Sequence, residues 1–283
     1  MLDQYKIPGT TNLDNAPYFD DPTIDPHFQE SQKGFKSMIQ DWIVNPRGIT
    51  TLRFGDGDYY VLIKHGVGSA TPGKRALGKP YNELQNHQDF IDGVVQNDYV
   101  FSEIMPNIRT WYNDMYPNRN IDGNLEYIYG YTANRWIFNQ LKGKKIGLIG
   151  AGIKLDIVKE LMEYPEYQEY LGVEKFESYI KIPQKFAMDD VDSLENDIKE
   201  QLESSDCDFY LFGIGHVKLA LSHRFKKYKD KPFLDIGCGI DAIAGSVNTK
   251  RPYYGEWVNF RLPHFDYSQV DYMNYNNGNE RYL

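Results

Sequence analysis

Residues 145–155 read KIGLIGAGIKL, an apolar run that ends in a Gly-Ala-Gly turn. A short apolar run bounded by glycine predicts a buried strand, here 145–149, and the apolar spacing from Ile153 to Met162 predicts a helix directly after it. The same unit recurs along the second half of the chain. The further predicted strands are 176–182, 209–212 and 233–236, and the predicted helices between them are 191–202 and 217–225.

Strands that alternate with helices and end in glycine predict an α/β fold. We expect a Rossmann-like, doubly wound, mainly parallel sheet with flanking helices, whose ligands bind at the carboxyl ends of the strands. The first half supplies one predicted strand, 49–54, which leads into an acidic glycine turn. Its predicted helices begin at Phe35, lie around 84–95 and 104–115, and cover 131–141.

The chain divides into three parts by composition. Residues 1–34 hold Pro8, Pro17, Pro22 and Pro26 and predict an extended N-terminal arm. Residues 35–246 form the single α/β domain, and the Tyr- and Asn-rich tail 247–283 is expected to pack on it. The glycine-rich basic loop 66–80 is typical of a mobile lid.

Charge and composition exclude several classes of function. The net charge is -9 over 283 residues, which argues against a nucleic-acid partner or an anionic membrane surface. No uncharged apolar run reaches the length of a membrane-spanning helix, and Cys207 and Cys238 are too few for a disulfide scaffold. We therefore expect a cytoplasmic protein that acts on small molecules or glycans.

The most informative motif is Arg53-Phe54-Gly55-Asp56-Gly57-Asp58, at the end of the predicted strand 49–54. Two carboxylates separated by one glycine suit Mg²⁺ or Mn²⁺ that keeps open positions for phosphate oxygens. Asp56 and Asp58 are therefore candidate metal ligands. An ordinary acidic glycine turn gives the same pattern, and on spacing alone it is the more frequent source.

Three predicted strands end in Gly-x-Gly. Glycine there allows backbone amides at a helix N-terminus to approach a phosphate, although tight packing of strand against helix also requires glycine. Lys154 and Lys218 follow two of these turns, in a first helical turn where an ammonium opposes the helix dipole and indicates an anionic partner. For either lysine alone, a solvated surface position is the more frequent explanation. The candidate binding residues are Arg53, Gly55, Asp56, Gly150, Gly152, Lys154, Gly213, Gly215, His216, Lys218, Asp235 and Gly237.

Two of the glycine motifs resemble those of other enzymes. The run from Gly150 has Leu155 where a dinucleotide fingerprint has its third glycine. The run 234–239 resembles the first motif of S-adenosylmethionine methyltransferases. That motif normally opens the domain, whereas here it lies near the end of the chain.

The motif 53–58 resembles the Arg-Phe-Gly-Asp-Gly-Glu signature of GT-D-type glycosyltransferases, with Asp58 in place of the glutamate and Cys238 where a histidine is expected. The resemblance covers roughly 35–245 in element order. It implies a Rossmann-like sheet, a UDP-sugar donor, and Mn²⁺ or Mg²⁺ bound through the acidic motif. Asp56 would face the donor and Asp58 would bind the metal.

The implied reaction moves a sugar from a nucleoside diphosphate sugar to an acceptor hydroxyl of a glycan or glycoprotein. A general base would remove the acceptor proton if the configuration inverts, and the candidates are Asp241 and His65. A structural role is nevertheless the more frequent one for His65 and His216, and His87, on a predicted helix face, is expected to be structural. The alternatives are an S-adenosylmethionine-dependent methyltransferase and a non-catalytic nucleotide- or glycan-binding protein.

Overall fold

A computed structural model describes residues 26–63, 84, 86–102, 106–184, 187–245 and 262–267, with the side chains of 26–32, 106, 107 and 126 left undescribed. His65 and the predicted lid 66–80 lie outside these ranges. So do residues 1–25 of the predicted arm and most of the tail. The described part of the tail packs on the domain, since Leu262 is buried and the ring of Phe265 lies 6.1 Å from that of Tyr164.

Seven strands form one sheet in the order β3-β2-β1-β7-β6-β4-β5, and every described strand pair is parallel. The predicted doubly wound α/β class is therefore confirmed. β1 lies near the middle of the sheet and is buried along its whole length, as its β-branched and aromatic residues favour. The strands are β1 Ile49–Phe54, β2 Tyr99–Ser102, β3 Gly123–Asn124, β4 Ile146–Ala151, β5 Ser178–Ile182, β6 Phe209–Gly213 and β7 Pro232–Asp235.

Helices cover both faces of the sheet. Short 3₁₀ stretches, Gly215–Val217 and Ser222–Lys227, lie on either side of α10. The helices are α1 Pro26–Val44, α2 Asp56–Leu62, α3 His87–Gln96, α4 Pro106–Met115, α5 Leu125–Ala133, α6 Trp136–Gln140, α7 Gly152–Leu161, α8 Pro165–Leu171, α9 Val191–Ser204, α10 Lys218–Leu221 and α11 Gly239–Ile243.

The hydrophobic core consists of two clusters, one on each side of the sheet. Successive side chains of a strand point to opposite faces, and accordingly Leu211 belongs to one cluster and Tyr210 to the other. The first cluster takes its helical residues from α1, α5, α6, α7, α8 and α11. The second takes them from α2, α3, α4, α9 and α10. The result is three layers, with the sheet between two layers of helices.

Four sequence predictions differ from the structure. Residues 26–34 belong to α1 rather than to an extended arm, and Pro26 is acceptable there because the first helical position needs no amide donor. The acidic turn is the first turn of helix α2. The predicted helix 131–141 is interrupted at Arg135, where φ is 65°, and the helical content of 217–225 is mostly 3₁₀.

The strand order creates a crevice between β4 and β6. β4 leads through α7 to β5 on its outer side, whereas β6 leads through α10 to β7 on the other side. Connections that diverge from neighbouring parallel strands leave an open cleft at their carboxyl ends, where ligands of doubly wound folds bind. Gly152 and Gly215 each lie two residues beyond the paired residues Gly150 and Gly213, so they stand at this cleft.

Across the part of the chain that the structure describes, no helix has both the length and the apolar character needed to cross a membrane.

Candidate functional site

Asp58 belongs to the first turn of α2, directly after β1. Its Oδ2 accepts a hydrogen bond of 3.0 Å from the amide of Gly55, the residue that precedes the helix, which stabilises the helix start. The side chain of Asp58 points inward, and the residue is only 4% exposed. Asp56, in contrast, is exposed, and its Oδ1 accepts from the Gly57 amide at 2.7 Å.

The predicted tight turn is therefore wrong, because residues 56–58 form the first turn of helix α2, while the assignment of Asp56 and Asp58 as metal ligands stays a prediction. Residues two apart on a helix point about 200° away from each other. Asp56 faces solvent while Asp58 faces the interior, because a helix replaces the turn.

Both carboxylate oxygens of Asp58 have partners within the chain. Lys218 Nζ lies 3.0 Å from Oδ2, and His216 Nδ1 lies 3.1 Å from Oδ1. Burial alone would raise the pKa of Asp58, but the Lys218 ammonium, His216 and the Gly55 amide outweigh it and hold the pKa well below its ordinary value. Asp58 is therefore ionised at neutral pH.

Lys218 joins Asp58 to a second buried carboxylate. Its Nζ lies 3.2 Å from Asp235 Oδ2 and also donates to the backbone carbonyl of Arg53. Lys218 is 5% exposed and Asp235 is fully buried. Three oxygens therefore surround the Lys218 ammonium, one through a hydrogen bond and two through ion pairs.

Arg53 completes this network from β1. Its amide donates to Asp235 Oδ2 at 2.9 Å, and its Nε lies 3.4 Å from Asp235 Oδ1. The guanidinium carbon lies 4.3 Å from the centre of the Tyr129 ring, a cation–π contact. Two cations and two carboxylates thus balance one another at the carboxyl ends of β1 and β7, and we call Arg53, Asp58, Lys218 and Asp235 the buried charge network.

Gly237 leaves room for Arg53 rather than for a ligand. A Cβ atom at Gly237 would stand 1.6 Å from the Arg53 Nη2 atom, and its φ of +47° is unfavourable for other residues. Gly213 is enclosed in the same way, since a Cβ there would stand 2.2 Å from the Gly237 carbonyl oxygen. The packing explanation for these two glycines is the one the structure supports.

Gly215 has a different environment. It is exposed, its φ is +61°, and no described atom lies within 4 Å of the position that a Cβ would take. On the other side of the crevice, the atoms nearest to a Cβ at Gly152 belong to the Lys181 side chain, the first of them at 3.5 Å. The open space at this edge of the sheet therefore lies beside Gly215.

Two further candidate residues, Lys154 and His87, each have a partner within the chain. Lys154 is buried and forms an ion pair with Asp241, so the anionic partner that its place in the helix indicated is a carboxylate of this chain. His87 Nε2 lies 3.3 Å from the carbonyl oxygen of Val61, as a structural histidine would. His65 is not among the described residues.

A metal bound by the chain alone does not fit the described residues. They hold no group of three or more His, Cys, Asp or Glu side chains able to bind an ion. Asp58 accepts a hydrogen bond from the Gly55 amide and pairs with Lys218 and His216, and its role as a metal ligand stays a prediction. Asp56, exposed at the start of α2, remains able to offer an oxygen.

The sequence missed Tyr129 and the pairing of His216 with Asp58. Tyr129 lies in α5, outside every motif, and its role follows only from the position of the Arg53 side chain. His216 was a candidate binding residue because of the neighbouring glycine. Only the adjacency of β1, β7 and β6 in the sheet could have indicated its carboxylate partner.

The chain has been compared with known proteins. No protein-family model matches it, and no curated protein matches it. One similar solved structure is described as a new glycosyltransferase (DUF1792) from Streptococcus sanguinis; it is 13% identical, with 81% of this chain and 93% of that chain covered and a TM-score of 0.48. Another is described as the highly conserved domain of unknown function 1792 with a distinct glycosyltransferase fold; it is 13% identical, with 84% and 90% covered and a TM-score of 0.48. These descriptions apply to those proteins, and the fold stated above rests on this chain's own strand order.

Proposed function

We propose that this protein is a glycosyltransferase that moves a sugar from a nucleoside diphosphate sugar, with UDP-sugars as the first candidates, to an acceptor hydroxyl of a glycan. The donor is proposed to bind in the crevice between β4 and β6, beside Gly152 and Gly215. The observation that carries the proposal is the convergence of motif residues Arg53 and Asp58 with His216, Lys218 and Asp235 next to this crevice.

The buried charge network supports a site that is organised before the substrate arrives. Its charges are fixed by short contacts and shielded from water, so they need little reorganisation during a reaction. Lys218 and Asp235 are buried and paired with each other, so they are not proposed to contact the substrate. The proposed role of the network is to hold β1, β7 and the residues after β6 in a fixed relative position.

A divalent cation, Mn²⁺ or Mg²⁺, remains part of the proposal, with Asp56 as its carboxylate from this chain. Mg²⁺ usually keeps several waters and binds one or two carboxylates together with substrate phosphates, and this suits one exposed aspartate. Such an ion would neutralise charge on the departing diphosphate. The amides near Gly215 would approach the donor from the other side.

The methyltransferase alternative has less support. In the resemblance that suggested it, the glycines of 234–239 approach the ligand, whereas here the Arg53 guanidinium fills the space at Gly237. The alternative of a non-catalytic binding protein predicts ligand binding with no turnover.

The proposal is tested by a thermal-shift screen of UDP-, GDP-, TDP- and CMP-sugars with and without Mn²⁺. We expect one family of nucleoside diphosphate sugars to raise the melting temperature. CMP-sugars carry a single phosphate and should have less effect. If no nucleotide sugar raises the melting temperature while S-adenosylmethionine does, the proposal fails.

The metal is tested by a matched pair of variants. Asp56→Ala removes the exposed carboxylate in the first turn of α2, and Asp192→Ala removes an exposed carboxylate in the first turn of α9. We expect Asp56→Ala to abolish the Mn²⁺-dependent part of the shift and Asp192→Ala to retain it. A donor response that is equal in both variants and indifferent to Mn²⁺ would remove the metal from the proposal and leave the donor.

A further inference from the structure

Asp241 and Lys154 form an ion pair between two helices that pack on the same face of the sheet. Lys154 belongs to the first turn of α7, after β4, and Asp241 belongs to the first turn of α11, after β7. Both helices contribute side chains to the first hydrophobic cluster. Because β6 lies between β4 and β7 in the sheet, the ion pair crosses the carboxyl end of β6.

The neighbouring residue, Ile240, shows that Asp241 lies beside the crevice. A Cβ at Gly150 would stand 3.1 Å from Ile240 Cγ2, and a Cβ at Gly213 would stand 2.8 Å from Ile240 Cγ1. Ile240 therefore covers the ends of β4 and β6, the two strands that border the crevice. From this position Asp241 reaches the first turn of α7, which forms one wall of the crevice.

The two carboxylate oxygens of Asp241 have different environments. Oδ1 is buried and pairs with the ammonium of Lys154, whose side chain is 10% exposed. The Asp241 side chain as a whole is 29% exposed. Oδ2 is accessible to solvent, and among the described residues no group donates a hydrogen bond to it. The ion pair thus fixes the carboxylate and leaves one open acceptor beside the crevice.

The chemistry of this acceptor limits what it can bind. A carboxylate oxygen only accepts hydrogen bonds, and it repels a diphosphate. A nucleoside diphosphate sugar offers donors on its base and hydroxyl groups on its ribose and on the transferred sugar. Guanine, which presents two adjacent N–H donors, would need both carboxylate oxygens, and Lys154 already holds Oδ1. A hydroxyl group needs only one oxygen.

We propose that Asp241 Oδ2 binds a sugar hydroxyl of the donor, on its ribose or on the transferred sugar, and that Lys154 is the positioning residue for Asp241. This inference rests on the proposed function and names a binding residue for it. The sequence made Asp241 a candidate general base, and the two roles differ in their kinetics. Loss of a binding residue raises KM and leaves kcat within about threefold, whereas loss of a general base lowers kcat.

The experiment measures, by calorimetry, the Kd of UDP, 2′-deoxy-UDP, 3′-deoxy-UDP and three UDP-sugars (UDP-glucose, UDP-galactose and UDP-N-acetylglucosamine). The guanosine counterparts are used if GDP-sugars give the larger thermal shift. If the hydroxyl is on the ribose, the native protein should prefer UDP to one deoxy form by about 10- to 100-fold, the effect of one hydrogen bond to a charged group. Asp241→Asn should reduce this preference to about threefold or less.

The same measurements identify a hydroxyl on the transferred sugar. In that case Asp241→Asn leaves the preference for UDP over its deoxy forms unchanged. It reduces instead, by about 10-fold or more, the preference of the native protein for one UDP-sugar over UDP.

Each preference is a ratio of two Kd values for one variant, so effects of the variant on stability or on diphosphate repulsion cancel. Asp241→Asn keeps the shape of the side chain and an oxygen for Lys154. The matched control is Asp192→Asn, at an exposed carboxylate in the first turn of α9, which should keep every native preference.

Two further variants test the positioning role of Lys154 and guard against misfolding. Lys154→Met should lower the same preference by about threefold or more while the weaker ligand of the pair binds as in the native protein. If Asp241→Asn does not fold, Asp241→Ala is combined with Lys154→Met. Removal of both partners of an ion pair is tolerated better than removal of one.

The outcomes separate this inference from the function on which it rests. A native protein that binds none of these nucleotides overturns the proposed function and this inference with it. A native protein that binds them, while Asp241→Asn keeps every preference within about threefold of the native value, overturns the inference alone. A fall of about 100-fold in kcat at unchanged preferences also overturns it, because Asp241 then acts in the chemical step.

Discussion

Lys218 Nζ lies 3.0 Å from Asp58 Oδ2, and neither residue is more than 5% exposed. The first belongs to α10, after β6, and the second to α2, after β1. Their contact crosses the carboxyl end of β7, which lies between those strands in the sheet and contributes Asp235 to the same ammonium. The Lys218 ammonium therefore joins residues at or after the carboxyl ends of three neighbouring strands.

Lys218→Met tests this link. The change leaves Asp58 and Asp235 buried without their shared ammonium, and removing one partner of a buried ion pair typically costs about 3–5 kcal/mol. We expect the free energy of unfolding in urea to fall by that amount. The control is Lys145→Met, which breaks the exposed pair with Asp206 and should change the stability little. Equal effects of the two changes would contradict the role of Lys218.

Arg53→Lys tests the geometry of the network at constant charge. A lysine cannot contact the Asp235 carboxylate and lie flat on the Tyr129 ring as the guanidinium does. We expect a loss of about 1–2 kcal/mol, since both a charged hydrogen bond and a cation–π contact are weakened. Arg47→Lys, at a pair with Asp41 in which both side chains are exposed, is the matched control and should leave the urea midpoint unchanged.

Gly237→Ala should be far more harmful than other glycine substitutions. It combines a positive φ with a clash against the Arg53 guanidinium, so we expect loss of several kcal/mol or failure to fold. Gly143 has a φ of +77° in open space, and its change to alanine should cost about 1 kcal/mol. Gly34, exposed within α1, has no neighbour within 4 Å, and its change to alanine should gain about 0.5–1 kcal/mol. Thermal unfolding of the three variants gives the ranking, and a mild Gly237→Ala would contradict it.

His223 should make the protein less stable in acid. Burial, with Arg224 and Lys227 adding to it and Glu195 opposing, lowers the pKa of His223 to about 4. The unfolded chain, with a pKa of about 6.5, then binds a proton that the folded chain does not, so stability is full above about pH 6.5 and falls toward pH 4. The loss should reach about 3 kcal/mol.

The measurement is urea unfolding of the native protein and of His223→Phe from pH 7 to pH 4. The variant should have a shallower fall in stability than the native protein by about that amount, whereas His264→Ala should follow the native curve. Parallel curves for the native protein and His223→Phe would show that the buried imidazole does not titrate differently on unfolding.

The sequence predicted those parts of the fold that depend on local pattern. β1, β4 and α9 follow from apolar runs and from spacing such as Val191, Leu194, Ile198 and Leu202, all buried. β2 and β3 are too short to stand out, and α2 was hidden because Gly and Asp are typical of turns as well as of helix starts.

For the site, the sequence could name its members but not their pairing. Arg53, Asp58, His216, Lys218 and Asp235 were all candidates, and the structure brings them together. Asp58 pairs with Lys218 and His216 because the strand order brings their elements together, and a local sequence pattern does not determine strand order. The glycines show the same limit. Gly215 lies beside open space, whereas other atoms of the chain occupy the space where a Cβ at Gly213 or Gly237 would lie.

The most direct test of the central proposal is ³¹P NMR of nucleoside diphosphate sugars after incubation with the native protein, Mn²⁺ or Mg²⁺, and a panel of glycan acceptors, with Mn²⁺ removed on a chelating resin before the spectra are recorded. The account predicts that for one donor the two diphosphate-diester resonances disappear and those of the free nucleoside diphosphate appear. If all the donors persist unchanged, with every acceptor and either metal ion, the protein is not a glycosyltransferase acting on these donors.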